Sequence, residues 1–294
     1  MNYVLPILVV LFFIGCKENS EKDPTTPHNQ QEQITFEQVL PFDTIFPVND
    51  AELEKTLSIE LKRKQLIEKK DDKAELQDLV IPKSFKKDED LYLIDFNYPY
   101  LNESLKPSYV NFNEYMEETY LNLNRVEAEI LEDKELFCDT LFINRFKEQR
   151  LVDYKVYNLN ENLISVLMYK ENYYSGTLHP SYTFDCLNFS LDRSVFMCYE
   201  DFFNQGSEEE MTRLLNETLR EQLARGDIYY ACWEISFDDF FDYKNNFVID
   251  DNKVEYYFDD CVICPSYTGT YSVEIPLVKL LPVLKKYDHN PLIM

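Results

Sequence analysis

Strand-like runs come in groups along this 294-residue chain, and two long helical patterns are set among them without regular alternation. That order argues against repeated βαβ units. It predicts an α+β fold: a mostly antiparallel sheet with two long helices packed on it. The strand signals are short β-branched and aromatic stretches bounded by polar turns: Leu91–Phe96, Thr140–Asn144, Arg150–Tyr157, Leu163–Tyr169, Tyr182–Leu191, Val195–Tyr199, Asn246–Ile249, Val254–Phe258 and Tyr271–Ile275. Pro99 is expected to stop the first of these, and Asp192-Arg193-Ser194 reads as a hairpin turn.

The first helix is predicted over Asn111–Leu131. Phe112, Tyr115, Met116, Leu123, Val126 and Ile130 share one face, with Asn111 and Glu114 as cap. The second is predicted over Glu208–Ala224. Ser207 and Glu210 suit a capping box, and Gly226 suits the C-terminal stop. Met211, Leu214, Leu215, Leu219 and Leu223 form its apolar face. Leu277–Lys286 reads as a short last helix despite Pro282.

Ahead of this body, Tyr3 to Cys16 (YVLPILVVLFFIGC) is an apolar run that ends in Gly15-Cys16 and gives way at once to polar sequence. The run suits an export signal and is short for a bilayer span. A small residue before a cysteine is the arrangement cleaved and lipidated in bacterial lipoproteins. Cys16 is therefore the expected lipid attachment point, and a lipid anchor the expected link to a membrane. The outer membrane, cell surface or periplasm is the expected location. Residues 17–49 read as a polar tether. Asp50–Leu79 reads as a charged helix with Leu53, Leu57 and Leu61 in one stripe, ended by Pro82. Four regions result: signal and lipobox 1–16, tether and charged helical segment 17–87, an N-terminal region 88–160 and a C-terminal domain 161–294.

Net charge is −25, and none of it lies in the signal. Such a surface repels phosphates and disfavours nucleic acid. It favours a cationic partner. The charge is uneven, with 17 Asp and Glu against 5 Lys and Arg between Glu200 and Asp260. Beyond Cys16 stand Cys138, Cys186, Cys198, Cys232, Cys261 and Cys264. In an oxidising compartment they admit disulfides in any of fifteen full pairings. Cys261-Val-Ile-Cys264 has flanks that read as extended, which would hold its own two thiols too far apart to pair. Neither a second CxxC nor a neighbouring histidine supports zinc, so no metal or other cofactor is expected.

Several stretches in order resemble the extracellular domain family shared by the lysozyme-sensing anti-sigma factor RsiV and PdaC-type peptidoglycan deacetylases. Tyr173 or Tyr174, Gly176 and His179 stand where that family has a Tyr-x-Gly-Gly-Ala-His turn. Thr177 and Leu178 replace its second Gly and its Ala. Asn188-Phe189-Ser190-Leu191 and Tyr199–Phe203 follow, with Ser194 at a turn position the family gives to Gly. Then come Val254–Phe258, Tyr267-Thr268-Gly269 and Val273-Glu274-Ile275-Pro276. Tyr98-Pro99-Tyr100 and the helix from Asn111 resemble the family's N-terminal companion region. The resemblance spans roughly residues 90 to 287. It implies an α+β fold and, from the sensor members, binding of lysozyme. The deacetylase members imply an association with peptidoglycan.

A metal-dependent deacetylase needs clustered His and Asp. This chain has only His28, His179 and His289, and no HxxxH, HExxH or GxSxG pattern. A binding role is therefore expected in preference to catalysis, and no later apolar segment suggests transmembrane signalling. The candidate ligand-binding residues are Tyr174, Gly176 and His179 in the turn, Asp238, Asp239 and Phe240 in an acidic aromatic stretch, and Tyr267 in a second bend. The partner is expected to be a cationic protein such as lysozyme, or cell-wall glycan. The alternatives are an envelope hydrolase, in which His179 would meet Asp185 or Asp201, and a structural envelope protein. Asp250-Asp251-Asn252 lacks the spacing of a calcium loop and reads as a hairpin turn.

Overall fold

An apolar run with little alternation, Leu163 to Tyr169, needs cover on both faces. In the computed structural model this run lies inside a six-stranded sheet. The structure describes residues 78–136, 147–174, 177, 180–286, 290 and 292. All of them belong to one unit, Pro47–Met294. The sheet holds β1 (Val80–Asp88), β2 (Tyr92–Leu101), β3 (Glu148–Leu159), β4 (Leu163–Tyr173), β5 (Ser181–Ser190) and β6 (Val195–Met197), in that spatial order. Only β2 and β3 are parallel. A parallel neighbour needs a crossover, and the helices between β2 and β3 supply it. The α+β class with a mostly antiparallel sheet is thus borne out.

Alternate residues of β4 serve two cores. Ile164, Val166 and Met168 face the crossover helices with Phe112, Met116 and Ile130. Leu167 and Tyr169 face the opposite way, in an aromatic cluster with Phe184, Tyr257 and Tyr271. On that side lies a second sheet: β7 (Phe247–Ile249), β8 (Lys253–Tyr257) and β9 (Ser272–Pro276), all antiparallel.

Buried and half-buried side-chain bonds tie the two sheets. Ser165 Oγ donates to Asn188 Oδ1 at 2.8 Å and accepts Ile249 N–H at 2.9 Å. Asn246 Oδ1 accepts Cys186 N–H at 2.7 Å, while its Nδ2 donates to the Phe184 and Tyr257 carbonyls at 2.7 and 2.9 Å.

The structure corrects several local expectations. The helix expected over Asn111–Leu131 is broken. Helix α1 (Val110–Glu114) runs into a π-helical stretch, Tyr115–Leu121, and Asn122 at φ +33° separates it from α2 (Leu123–Leu136). Asparagine tolerates that left-handed conformation because its short amide bonds nearby backbone. Here Asn122 Oδ1 accepts Arg125 N–H at 3.2 Å. Asn111 is not a cap: its Nδ2 donates to the Ser194 carbonyl at 3.0 Å.

Pro82 and Pro99 lie inside strands rather than ending elements, and they face each other in the β1–β2 pair. Neither has an N–H, so a pair that exchanges no hydrogen bonds accommodates both. Strand β1 also starts the sheet before the boundary expected near Asp88. The β3–β4 hairpin crosses residue 160, so both expected regions share one sheet.

Helix α3 (Tyr199–Phe202) is followed by the second long helix, α4 (Glu208–Arg225), which ends at Gly226 with φ +77° as expected. Ser207 makes no capping bond to it. Its hydroxyl instead pairs with Tyr199 Oη and donates to the Asn204 carbonyl. The last helix, α6, covers only Leu277–Leu280 and stops before Pro282. Ser194, at φ +55°, does hold the left-handed turn position after β5, and its Oγ lies 2.6 Å from Ser108 Oγ. Cys16 and the signal, the tether, the charged helical segment as far as residue 77 and the strand expected at Thr140–Asn144 lie outside the described residues.

Candidate functional site

Once Gly226 stops α4, the chain has no periodic pattern until Ser236, yet the loop is firmly held. Cys232 is bonded to Cys264. Trp233 N–H donates to the Ile263 carbonyl at 3.0 Å, and its Nε1–H to the Val262 carbonyl at 2.7 Å. Asn216 on α4 grips Ile235 through both its amide groups, at 2.8 and 2.9 Å. Residues 261–264 therefore form a tied turn, not the extended segment expected, with Cys261 at φ +64°. Cys264 pairs with a distant partner. Among the described cysteines, Cys186, Cys198 and Cys261 are free.

The loop presents Tyr230 at 88% exposure and Trp233 at 43%. Tyr229 stands between Tyr230 and Tyr267, with ring centroids 5.5 and 6.0 Å away. Tyr267 lies on the 3₁₀ turn Ser266–Thr268, closed by Gly269 at φ +63°. Glycine adopts that left-handed closure without the steric cost a side chain would add.

Next comes α5 (Phe237–Tyr243). Ser236 caps it: the Oγ accepts Asp239 N–H at 3.0 Å and donates to Asp239 Oδ2 at 2.6 Å. Residues four apart share a helix face. Phe237 and Phe241 form one exposed stripe, with ring centroids 6.2 Å apart. Asp238 and Asp242 form an exposed acidic stripe beside it. Phe240 points inward and has no exposure; Tyr199 and Tyr256 pack on it. At the far end, Tyr243 Oη donates to Asp259 Oδ2 at 3.1 Å, and burial with this carboxylate pushes the phenol up to about 12.

Charge differs across this surface. Lys244 lies 4.7 Å from the Phe241 ring, but its Nζ is bound to Glu200 Oε1 at 2.6 Å, which raises its pKa. Among the described residues no cation pairs with Asp238 or Asp242. In the loop that carries Tyr230 and Trp233, by contrast, both acids are matched: Glu234 with Arg220 at 2.6 Å, and Asp227 with Arg225 at 2.9 Å. The Arg220 guanidinium holds the Glu234 carboxyl below its ordinary value.

Of the residues expected to bind ligand, Asp238, Asp239 and Phe240 share α5, and Tyr267 lies on the tied loops. Asp239 is engaged in the cap, and Phe240 is corrected to a core residue because its ring is the apolar anchor of the helix. Tyr174 is elsewhere, at the end of β4, with the Arg150 guanidinium 4.1 Å over its ring. Gly176 and His179 lie outside the described residues. Asp185 accepts Tyr120 Oη–H at 2.7 Å and pairs with Lys170 at 3.0 Å. Asp201 accepts Cys198 N–H at 2.9 Å. No metal-holding group of His, Cys, Asp and Glu occurs among the described residues. None of their helices is long and apolar enough to cross a membrane.

The tied loops and α5 fall in one stretch of sequence. Residues 200–277 match DUF3298, described as a protein family of unknown function. The DUF3298 segment thus runs from α3 to the start of α6. A crystal structure of a DUF3298 family member from Bacteroides fragilis is similar at 17% identity and TM-score 0.46, covering 70% of this chain and 94% of that one. One from Pseudomonas aeruginosa is similar at 12% identity and TM-score 0.49, covering 70% and 93%. No curated protein matches the chain.

Sequence reasoning passed over Tyr229, Tyr230 and Trp233. The available signal was three aromatic residues within five positions after a helix-stopping glycine, with a cysteine among them. Tyrosine and tryptophan are intermediate between core and surface, and only their neighbours show which of these point outward.

Proposed function

We propose that this protein is an exported, lipid-anchored binding protein of the cell envelope, and that α5 docks a basic protein such as lysozyme. The observation that carries the reading is the pair of parallel stripes on α5: exposed Phe237 and Phe241 beside exposed Asp238 and Asp242, without a pairing cation among the described residues. Aromatic rings supply contact area, and unmatched carboxylates supply attraction for a cationic surface. The net charge of −25 strengthens the approach of such a partner. The signal ending at Cys16 supports export and anchoring, at the outer membrane, cell surface or periplasm.

The test is calorimetry of the mature chain with hen egg-white lysozyme at low and at high salt. Binding that weakens as salt rises, and that the double variant Phe237→Ala, Phe241→Ala removes, supports the reading. No heat at low salt rejects lysozyme. Mass spectrometry of the mature N-terminus tests the anchor; an unmodified start away from Cys16 rejects it.

A further inference from the structure

The surface around Tyr230 and Trp233 differs from α5 in a way that selects a different ligand. Its tryptophan is held in place before any ligand arrives. Tyr229 backs both Tyr230 and Tyr267, and the Trp233 indole N–H is already spent on the Val262 carbonyl. The Trp233 backbone is fixed by Ile263, one residue after a cysteine tied to Cys264. Trp233 therefore offers a ring face and no free donor, while Tyr230 and Tyr267 offer faces edged by a phenolic hydroxyl, and a fixed Trp233 lowers the entropic cost of binding.

The acids that flank Tyr230 and Trp233 in the chain are held in two side-chain ion pairs, Arg220–Glu234 and Arg225–Asp227, whose side chains are each more than half exposed. They leave the loop from Asp227 to Ile235 balanced in charge, while Asp260 accepts from the Ser266 hydroxyl next to Tyr267. Each pair offers planar N–H donors next to carboxylate acceptors, which suits adjacent hydroxyl groups acting as both acceptor and donor. A ligand with apolar C–H faces, many hydroxyls and no net charge is a neutral sugar.

We infer that Tyr230, Trp233 and Tyr267 form a stacking site for a neutral oligosaccharide, with Arg220–Glu234 and Arg225–Asp227 as its hydroxyl-binding rim. The site is separate from the α5 stripes and does not depend on what α5 binds.

Trp233 is the single tryptophan of the chain, so its emission reports on this site alone. The experiment titrates the full mature chain with cellotetraose and, separately, with the tetramer of β-1,4-linked N-acetylglucosamine, at low and high salt. The expected result is a saturable change in Trp233 emission with at least one of them, unaffected by salt. Tyr230→Ala, at a ring that supports no core packing, should weaken it by roughly ten-fold or more. Tyr267→Ala should weaken it as well, and Phe237→Ala should leave it unchanged. Absence of an emission change with both sugars at millimolar concentration overturns the inference. So does a change that survives Tyr230→Ala and Tyr267→Ala together. Loss of lysozyme binding on Tyr230→Ala, without any sugar response, would reassign the rings to the protein partner.

Discussion

The amide nitrogen of Asn188, on β5, donates to the carbonyl of Phe247, on β7, across 2.8 Å of buried space. The same side chain accepts from Ser165 on β4, whose hydroxyl in turn takes Ile249 N–H. One side chain thus completes a chain of bonds from the centre of the large sheet to the small one. Such a chain is favourable only when every member is paired.

Asn188→Ala should therefore cost about 2 kcal/mol or more, because it leaves the Phe247 carbonyl without its donor and Ser165 without its acceptor. Urea unfolding measures it. A change below about 0.5 kcal/mol would mean that the buried bonds between the sheets contribute little.

The Cys232–Cys264 bridge closes a loop at a sequence separation of 32. On chain-entropy grounds, a double Cys→Ser change should cost about 3 to 4 kcal/mol. Hydrogen exchange should rise first at Trp233 and Ile235, whose amides the bridge helps to hold. A melting curve that is the same with and without reductant would argue against the bridge.

Glu255 on β8 is buried, and its Oε1 accepts a hydrogen bond from the Ser272 hydroxyl at 2.6 Å. Burial raises its carboxyl above the ordinary 4.5. Below that value the carboxyl is protonated in both folded and unfolded chains and contributes no pH dependence. As pH rises from about 4.5 through the raised folded value, the unfolded chain loses its proton first, so stability falls. Glu255→Gln keeps the acceptor for Ser272 and removes this loss. It should match the parent near pH 4 and exceed it at pH 7 in thermal unfolding. Equal gains at both pH values would show that the carboxyl is not perturbed.

Two phenylalanines three positions apart on α5 should behave oppositely. Phe240→Ala empties a fully buried site and should cost about 3 to 5 kcal/mol. Phe237→Ala, at 45% exposure, should change stability by less than about 1 kcal/mol yet weaken the docking of a basic protein. Unfolding and calorimetry on the same two variants separate the roles.

Ser236→Ala removes the acceptor for Asp239 N–H and should cost about 1 kcal/mol, since a seven-residue helix depends on its cap. Circular dichroism and lysozyme titration should decline together. Unchanged binding with a frayed α5 would move the docking surface elsewhere.

Local pattern carried much of this fold. The apolar stripe of Met211, Leu214, Leu215 and Leu219, closed by Gly226, specifies α4 by its own periodicity and its own stop. Nearly every strand followed from short runs bounded by turns, and the α+β class from their order. These features are legible because each depends on residues within a turn or two of one another. Local pattern failed where a distant partner decided the outcome. The Asn111 side chain bonds Ser194 instead of capping its helix, Ser207 turns to Tyr199, and Pro82 and Pro99 are tolerated because they meet each other. The same holds for the candidate sites. The acidic aromatic character of residues 237–243 was visible in the chain, but which phenylalanine is anchor and which is contact depends on where Tyr199 and Tyr256 pack. The proposed sugar site at Tyr230, Trp233 and Tyr267 rests on a disulfide that joins residues at a sequence separation of 32. Sequence fixes which groups are available and how each short segment prefers to fold. Tertiary structure decides which of those groups face water, because exposure depends on contacts that no local window contains.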